Sequence, residues 1–464
     1  MIPPGAVHHW SKNDFGSTFH WGVSTAAYQT EGCHDADGKG LSIWDVFTRK
    51  KGAIYRNQHG NIACQFYQRY GADLQLMHAL GIPNFRFSLA WSRIFPEGRG
   101  AVNARGIDFY HQLIDTCLNL GIEPWVTLYH WDLPYALEQK GGWTNRDVVG
   151  WLGDYAETCA RAFGDRVKHW MVLNEPMVFT GAGHFLGIHA PGRRWLKNFL
   201  PATHHAALCQ SEGGRRLRLH LPGARIGTTF SASYVEPLRD TQPDRGAARR
   251  VDALLNRLFL EPALGLGYPT ADLPFLNRLE KYRRPGDEGL LPFNFDFIGL
   301  QVYTREVVKP TWFMPYVGAT LVKAATRKVP YTLMGWEVYP ESMYRMLRQY
   351  AAYPQIKQII VTENGAAFED TVRDGRVPDE RRVAYLRDHV GQVLRAKREG
   401  VPVEGYFAWT FTDNFEWAEG YRPRFGLVHV DFETQQRTVK DSGRWYQAFL
   451  AGQEQKATPQ PATT

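Results

Sequence analysis

The stretch Ile359-Ile360-Val361-Thr362-Glu363-Asn364-Gly365 runs from apolar and β-branched residues into a carboxylate and then into an Asn-Gly turn pair. This order predicts a buried parallel strand that presents Glu363 at its carboxyl end. A second stretch, Trp170-Met171-Val172-Leu173-Asn174-Glu175-Pro176, has the same order, and Pro176 prevents the strand from continuing. Glycosidic bonds are cleaved by pairs of carboxyl groups, so two glutamates at the ends of two buried strands would suit this reaction. Either glutamate alone would more often begin a solvated loop, so the rest of the chain decides between these interpretations.

The composition is that of an ordinary globular protein. The chain has 464 residues, of which 44% are hydrophobic and 22% charged, which suits one large barrel with insertions or two domains. The formal charge is +7, but the densest basic clusters, residues 215–218 and 249–250, are short and lack interleaved aromatics. We therefore expect no nucleic acid partner. The aromatic content of 14% suits a core and also suits the binding of sugar rings.

The cysteines and the apolar runs indicate the compartment. Five cysteines occur without a C-x-x-C pair, so we expect neither a disulfide framework nor a zinc site. Residues 1–19 contain no apolar run flanked by basic residues, and no stretch approaches the ~20 apolar residues of a membrane-spanning helix. These features predict a cytoplasmic protein without a membrane partner, and a homo-oligomer is compatible with them.

Helical and strand patterns alternate along the chain. Gly81-Ile82, Gly121-Ile122 and Gly400-Val401 each end an amphipathic helical pattern and begin an apolar strand. Asn61, Asn103, Asn145 and Asp379 are expected to cap the starts of helices. Strands are predicted at residues 19–23, 84–88, 123–128, 170–173, 224–230, 295–300, 359–362 and 403–410. Eight β-then-α units, with no Gly-rich phosphate loop after an early strand, predict a closed (β/α)8 barrel rather than an open doubly wound sheet.

The strand-to-helix connections are rich in Trp, Tyr, His and Gly at residues 131–144, 179–200, 303–335 and 411–424. In a (β/α)8 barrel such loops extend from the face that carries the active site. We expect residues 1–452 to form one catalytic barrel domain. The polar, Pro- and Thr-rich residues 453–464 are expected to be disordered.

Six motifs at the ends of these predicted strands match a known family. They are Thr25-Ala26-Ala27-Tyr28-Gln29-Thr30-Glu31-Gly32, Arg86-Phe87-Ser88-Leu89-Ala90-Trp91-Ser92-Arg93, Thr127-Leu128-Tyr129-His130-Trp131-Asp132-Leu133-Pro134, Leu173-Asn174-Glu175-Pro176, Thr362-Glu363-Asn364-Gly365 and Asp413-Asn414-Phe415-Glu416-Trp417. Over residues 21–450 the chain resembles glycoside hydrolase family 1, the retaining β-glycosidases.

The resemblance implies a role for each matching residue. Glu175 would be the general acid/base and Glu363 the nucleophile. Arg86 and Tyr303 would contact the nucleophile, and Arg86 would keep it ionised. The residues that would hold the sugar hydroxyls are Gln29, His130, Asn174, Glu416 and Trp417, with Trp409 as the floor beneath the ring and Trp336 stacked on the leaving-group side. No metal or organic cofactor is implied, and His130 near Asp132 lacks the spacing of a metal site.

Two segments depart from the family pattern. Gln301-Val302-Tyr303 stands where the family usually has Asn-Tyr-Tyr, which leaves the fine contacts to the leaving group unpredicted. Residues 306–333 follow no family pattern, so the structure of the leaving-group pocket cannot be predicted from the resemblance.

The resemblance predicts a retaining exo-β-glycosidase, with β-glucosidase activity on a small-molecule glycoside or oligosaccharide as the first expectation. Glucose, galactose and fucose differ by single hydroxyl orientations, and the sequence does not separate them. A 6-phospho-β-glycosidase would carry a Ser and a Lys/Tyr phosphate clamp where this chain has Glu416-Trp417. A sugar-binding pseudoenzyme would lose one catalytic glutamate, whereas a transglycosylase would need the same residues as a hydrolase.

Overall fold

The computed structural model describes residues 9–456. Its central feature is a barrel of eight strands: β1 (His20–Ser24), β2 (Asn84–Ser88), β3 (Glu123–Tyr129), β4 (His169–Asn174), β5 (Arg225–Pro237), β6 (Phe297–Pro310), β7 (Ile359–Asn364) and β8 (Val403–Trp409). One main helix follows each strand: α1 (Phe66–Ala79), α2 (Ala104–Asn119), α3 (Val148–Phe163), α4 (Leu196–His220), α5 (Gln242–Asp252), α6 (Glu341–Ala351), α7 (Glu380–Arg398) and α8 (Asp441–Leu450). The (β/α)8 fold predicted from the sequence is therefore confirmed.

The barrel is closed. Each strand pairs in parallel with its neighbours in chain order, β8 pairs with β1, and no edge is left open. Beyond the barrel rim β5 and β6 continue side by side, with Tyr234 opposite Arg305 and Pro237 opposite Val308. A short strand, Ala319–Leu321, adds to β6 in the antiparallel sense. This extension stands over the carboxyl ends of the strands.

The joints between helices and strands follow from single residues. Gly81, Gly121 and Gly400 have φ of +67°, +71° and +86°, the left-handed conformation that ends a helix and that glycine adopts without strain. Asn103 and Asp379 directly precede α2 and α7, as predicted.

Two predicted helix starts are wrong. Helix α1 begins at Phe66 rather than after Asn61, because Gln65 is left-handed (φ +52°) and cannot continue a right-handed helix. Ile62, predicted on the apolar face of that helix, is 55% exposed. Helix α3 begins at Val148, two residues later than predicted, and Asn145 Oδ1 instead accepts a hydrogen bond from the Asp147 amide.

The interior of the barrel is filled by side chains. Trp125, Met171, Phe297, Ile360 and Phe407, from five different strands, form one buried cluster near the amino ends of the strands. A packed interior leaves no passage through the barrel, so any ligand site must lie above this layer, among the connections at the carboxyl ends.

The sequence also predicted a disordered tail, no membrane-spanning helix and no metal site. Gln455–Lys456 forms a two-residue strand with His9–Trp10, and residues 457–464 of the predicted tail lie outside the described residues. Within residues 9–456 no helix is long and apolar enough to cross a membrane. Within the same residues no group of three or more His, Cys, Asp or Glu side chains is arranged to hold a metal ion.

Candidate active site

A cleft of about 950 Å³ opens at the carboxyl ends of the barrel strands. Eight of the residues singled out in the sequence line it: His130, Glu175, Tyr303, Trp336, Glu363, Trp409, Glu416 and Trp417. Three others, Gln29, Arg86 and Asn174, are fully buried and lie behind this surface, where they hydrogen-bond to the residues that line it. The structure thus brings all of the predicted site residues together.

Glu363, at the end of β7, receives three donors. Arg86 Nη1 donates to Oε1, and Tyr303 OH donates to Oε2 at 2.7 Å. Gln301 Nε2 donates to Oε1 at 2.7 Å. Both carboxylate oxygens are therefore fixed in position and the side chain is only 3% exposed. The three donors hold the carboxylate in one orientation.

Asn174, at the end of β4, links the neighbouring groups. Its Oδ1 accepts from Arg86 Nη2, from Gln301 Nε2 at 2.8 Å and from Thr229 Oγ1 at 3.0 Å. These donors fix the orientation of the amide, so Asn174 Nδ2 is the atom 3.0 Å from His130 Nε2. An amide nitrogen has two hydrogens, and the second one remains for another acceptor.

His130 is held neutral in this network. Burial lowers its pKa well below 6.5, and the positive charge of Arg86 lowers it further. Because Nε2 accepts from Asn174, the neutral ring carries its hydrogen on Nδ1, and Nδ1 has no partner among residues 9–456.

Glu175 follows Asn174 directly and has a left-handed backbone, with φ of +47°. Its amide donates to the Thr229 carbonyl at 2.9 Å, and Pro176 begins a short helix, so the strand ends at this point. Burial raises the pKa of Glu175 well above the ordinary value of a glutamate, and the negative charge of Glu363 raises it further. Both effects favour the protonated form of Glu175 in the unliganded site.

The pKa of Glu363 is set by opposing effects. Burial raises it, while the charge of Arg86 and the hydrogen bonds from Tyr303 and Arg86 lower it. Burial is the larger effect, so the pKa of Glu363 lies above the ordinary value of a glutamate even though Arg86 favours the ionised form. Arg86 and Tyr303 hydrogen-bond to Glu363 directly, which favours Glu175 as the protonated member of the pair.

Glu416 lines another part of the cleft, and Gln29 lies buried behind it. Gln29 Nε2 donates to the Phe415 carbonyl at 2.9 Å and is 3.4 Å from Glu416 Oε2. Gln29 Oε1 is buried without a partner among the described residues. Burial raises the pKa of Glu416 to about 8, with the charge of Glu363 adding to the effect. Both effects favour the protonated form of Glu416.

Two tryptophans complete the walls. The ring of Trp417 packs against those of Trp131 and Trp44, each at a centroid distance of 4.6 Å. Trp409 lies 5.9 Å from the His130 ring, centroid to centroid, with the two planes 25° apart. These contacts hold flat apolar faces in fixed positions, which suits the stacking of a sugar ring.

The sequence did not assign a role to Gln301 beyond noting that it replaces an asparagine. In the structure its amide donates both hydrogens, one to Glu363 and one to Asn174. The spacing could have indicated this role. Gln301 and Tyr303 lie two residues apart at the end of one strand, so their side chains point to the same side of it.

Gln301→Leu is expected to lower kcat by roughly 10- to 100-fold, because a hydrogen bond to a charged group is worth about 1.5–3 kcal/mol. The side chain of Gln301→Asn is one methylene shorter and should reach at most one of the two acceptors, Glu363 and Asn174. Its kcat should therefore fall less than that of Gln301→Leu. The loss should appear in kcat rather than KM if the amide stabilises the transition state. Unchanged kcat in both folded variants would contradict this role.

Comparisons with known proteins agree with this geometry. A sequence model of glycosyl hydrolase family 1 matches residues 11–455. Over 434 residues, 93% of this chain, it is 43% identical to "Beta-glucosidase A" of Thermotoga maritima, of which 96% is covered. Over 442 residues, 94% of this chain, it is 39% identical to "Beta-glucosidase" of an Agrobacterium species, of which 95% is covered. Among solved structures it resembles the Thermotoga maritima β-glucosidase in complex with glucoimidazole, with a TM-score of 0.90, 43% identity and coverage of 94% of this chain and 98% of that one.

Proposed function

Because the chain belongs to glycosyl hydrolase family 1 and is therefore a glycoside hydrolase, we propose that it releases terminal, non-reducing β-D-glucosyl residues with retention of configuration. The observation that carries the proposal is the pair Glu175 and Glu363, which share one cleft in different surroundings. The names of the relatives, which are β-glucosidases, support glucose as the sugar.

In the proposed first step Glu363 attacks the anomeric carbon while Glu175 gives its proton to the leaving oxygen. The fixed orientation of Glu363 and the raised pKa of Glu175 suit these two roles. The bond to the leaving group breaks as a glycosyl-Glu363 ester forms.

In the proposed second step Glu175 acts as a base. Formation of the ester removes the negative charge of Glu363, which is one of the two main causes of the raised pKa of Glu175. The pKa of Glu175 then falls, and its carboxylate can take a proton from the water that attacks the ester. Two carboxyl groups account for the whole reaction, so we propose no metal and no organic cofactor.

We propose that the unpaired groups of the cleft bind the glucosyl unit. Gln29 Oε1 and His130 Nδ1 lack partners among the described residues, and a sugar hydroxyl can satisfy each of them. The second hydrogen of Asn174 Nδ2 is available for the 2-hydroxyl, and Glu416 for the hydroxyls at the far end. Trp409 and Trp417 would contact the ring faces.

The retaining reaction is tested by the first sugar that is released. Incubation with p-nitrophenyl β-glucoside, followed by NMR within minutes, should show β-glucose before mutarotation produces the α-anomer. Release of α-glucose first would overturn the double displacement, and release of no glucose would overturn the proposed substrate.

Glu416 is expected to select an unphosphorylated sugar. Wild-type kcat/KM for p-nitrophenyl β-glucoside should exceed that for its 6-phosphate by at least ~100-fold, because a dianion would enter a partly desolvated pocket that contains carboxyl groups. Since the pKa of Glu416 is about 8, the ratio should grow between pH 7 and pH 9 as the group ionises. Glu416→Ser should lose most of the preference, through slower turnover of the neutral substrate.

Equal or faster cleavage of the phosphorylated substrate by the wild type would instead favour a 6-phospho-β-glycosidase.

We further propose that the described barrel is one catalytic domain. A cytoplasmic location is proposed from the cysteines, which are unpaired throughout the described residues.

A further inference from the structure

Two carboxyl groups that line the cleft, those of Glu306 and Glu419, are not used by the proposed reaction, and Glu419 is paired with Arg422. Glu306, on β6, lines the same cleft as Glu175 and Glu363. It lies three residues beyond Tyr303, whose hydroxyl donates to Glu363. At about 3.3 Å per residue, this places its Cα roughly 10 Å further along the strand, toward the cleft mouth.

Glu306 lies on the wall that also carries Trp336. The ring of Trp336 is 5.3 Å from that of Tyr303, centroid to centroid. The segment that contains Trp336 is tied to β6, because Thr304 Oγ1 donates to the Glu337 carbonyl at 3.0 Å. Tyr303, Trp336 and Glu306 therefore form one continuous wall, which begins at the nucleophile and extends toward the mouth.

Two cations close to Glu306 are already paired with other carboxylates: Arg305, which directly precedes it, and Arg327, whose charge acts on it. Arg305 makes two hydrogen bonds of 2.9 Å to the two oxygens of Glu337 and a third bond to Glu236. Arg327 also donates to Glu337. In the described part of the chain, neither oxygen of Glu306 has a hydrogen-bond partner or an ion-pair partner.

A half-buried carboxyl without a partner is costly, because the protein does not replace the water it loses. Burial raises the pKa of Glu306 to about 7, with Arg327 opposing the effect and Glu337 adding to it. Near neutral pH the group is therefore partly protonated. In both forms it can bond to hydroxyls, whereas only the ionised form would attract a cation.

We propose that Glu306 is a specificity residue for the leaving group, and that it selects a hydroxyl-bearing aglycone such as a second sugar unit. The second ring would lie against Trp336 while one or two of its hydroxyls bond to Glu306. This inference rests on the proposed function and adds the class of aglycone. An aryl aglycone offers no matching donor and gains nothing from Glu306.

The test compares two substrates that share the glucosyl unit and differ in the aglycone. For Glu306→Leu, kcat/KM on cellobiose should fall roughly 10- to 100-fold, while kcat/KM on p-nitrophenyl β-glucoside should stay within about two-fold. Glu306→Gln keeps the size of the side chain and can still hydrogen-bond to hydroxyls. Its kcat/KM should therefore fall about three- to ten-fold on cellobiose and stay unchanged on p-nitrophenyl β-glucoside. Glu97→Leu, which removes an exposed glutamate that does not line the cleft, should leave both substrates unchanged.

The outcomes separate this inference from the proposed function. A wild type that cleaves neither substrate overturns both. If the wild type cleaves both substrates, two results overturn the role of Glu306 alone. One is an equal loss of kcat/KM on the two substrates in the Glu306 variants, and the other is no loss of kcat/KM on cellobiose. If Glu306→Leu does not fold, Glu306→Gln decides by the same comparison.

Discussion

Replacement of Glu363 by alanine is expected to abolish hydrolysis of every β-glucoside, with kcat falling by roughly 10⁵-fold or more, as for loss of the nucleophile in other covalent mechanisms. The reason is that no glycosyl ester can form. A better leaving group cannot compensate, since the attacking atom itself is missing, so aryl glucosides and cellobiose should be affected alike.

The change also removes the carboxylate that pairs with the buried Arg86. Leaving one member of a buried ion pair alone costs about 3–5 kcal/mol, so thermal unfolding must be measured in parallel. Glu363→Gln keeps the side-chain volume and is the matched control: it should fold and be equally inactive.

Azide tests which face of the sugar Glu363 attacks, in addition to the loss of activity in Glu363→Ala. In Glu363→Ala the space left by the side chain admits azide on the face where Glu363 stood, and attack from that face gives the α-glucosyl azide. Formation of the β-azide by this variant, or residual activity above about 1% in both folded variants, would show that Glu363 is not the nucleophile.

The barrel was predictable because its strands carry a local signal. Every predicted strand begins within two residues of the observed one, since buried parallel strands are continuous apolar runs bounded by turn residues. The ends of β5 and β6 were not predictable. Both continue beyond the barrel, to Pro237 and Pro310, through residues such as Thr304, Arg305 and Glu306 that resemble a loop in composition.

That extension depends on contacts between the two strands rather than on either sequence. Tyr234 lies opposite Arg305 and Val235 opposite Glu306, and a third strand, Ala319–Leu321, covers the outer edge. The sequence therefore indicated the residues around Glu363, which follow barrel strands. Of the wall formed by Tyr303, Trp336 and Glu306, it indicated the two aromatic residues but not Glu306.

Charge was the other feature that sequence could not supply. The resemblance placed Glu416 in the site, but its pKa of about 8 follows from burial and from the nearby charge of Glu363, which require the folded structure. The reach of Gln301 to both Glu363 and Asn174 depends in the same way on the separation of three strand ends.

Replacement of Glu175 by alanine is expected to affect the two halves of the reaction differently. Dinitrophenyl glucoside needs little protonation of its leaving oxygen, so it should still form the glycosyl-Glu363 ester at a nearly normal rate. Hydrolysis of the ester should slow by roughly 10²- to 10⁴-fold, since no base activates the water. The measurable result is a burst of dinitrophenolate, followed by slow turnover and an apparent KM far below that of the wild type.

The loss of Glu175 should be recoverable by an anion that needs no base. Azide should restore turnover of dinitrophenyl glucoside and yield the β-glucosyl azide, because the ester is attacked from the face that Glu175 occupied. The activity of the wild type should fall as the pH rises through the raised pKa of Glu175, since only the protonated form donates to the leaving group, and this alkaline limb should be absent in Glu175→Ala. Failure of azide to accelerate turnover, or an unchanged alkaline limb in the variant, would assign the proton transfer to another group.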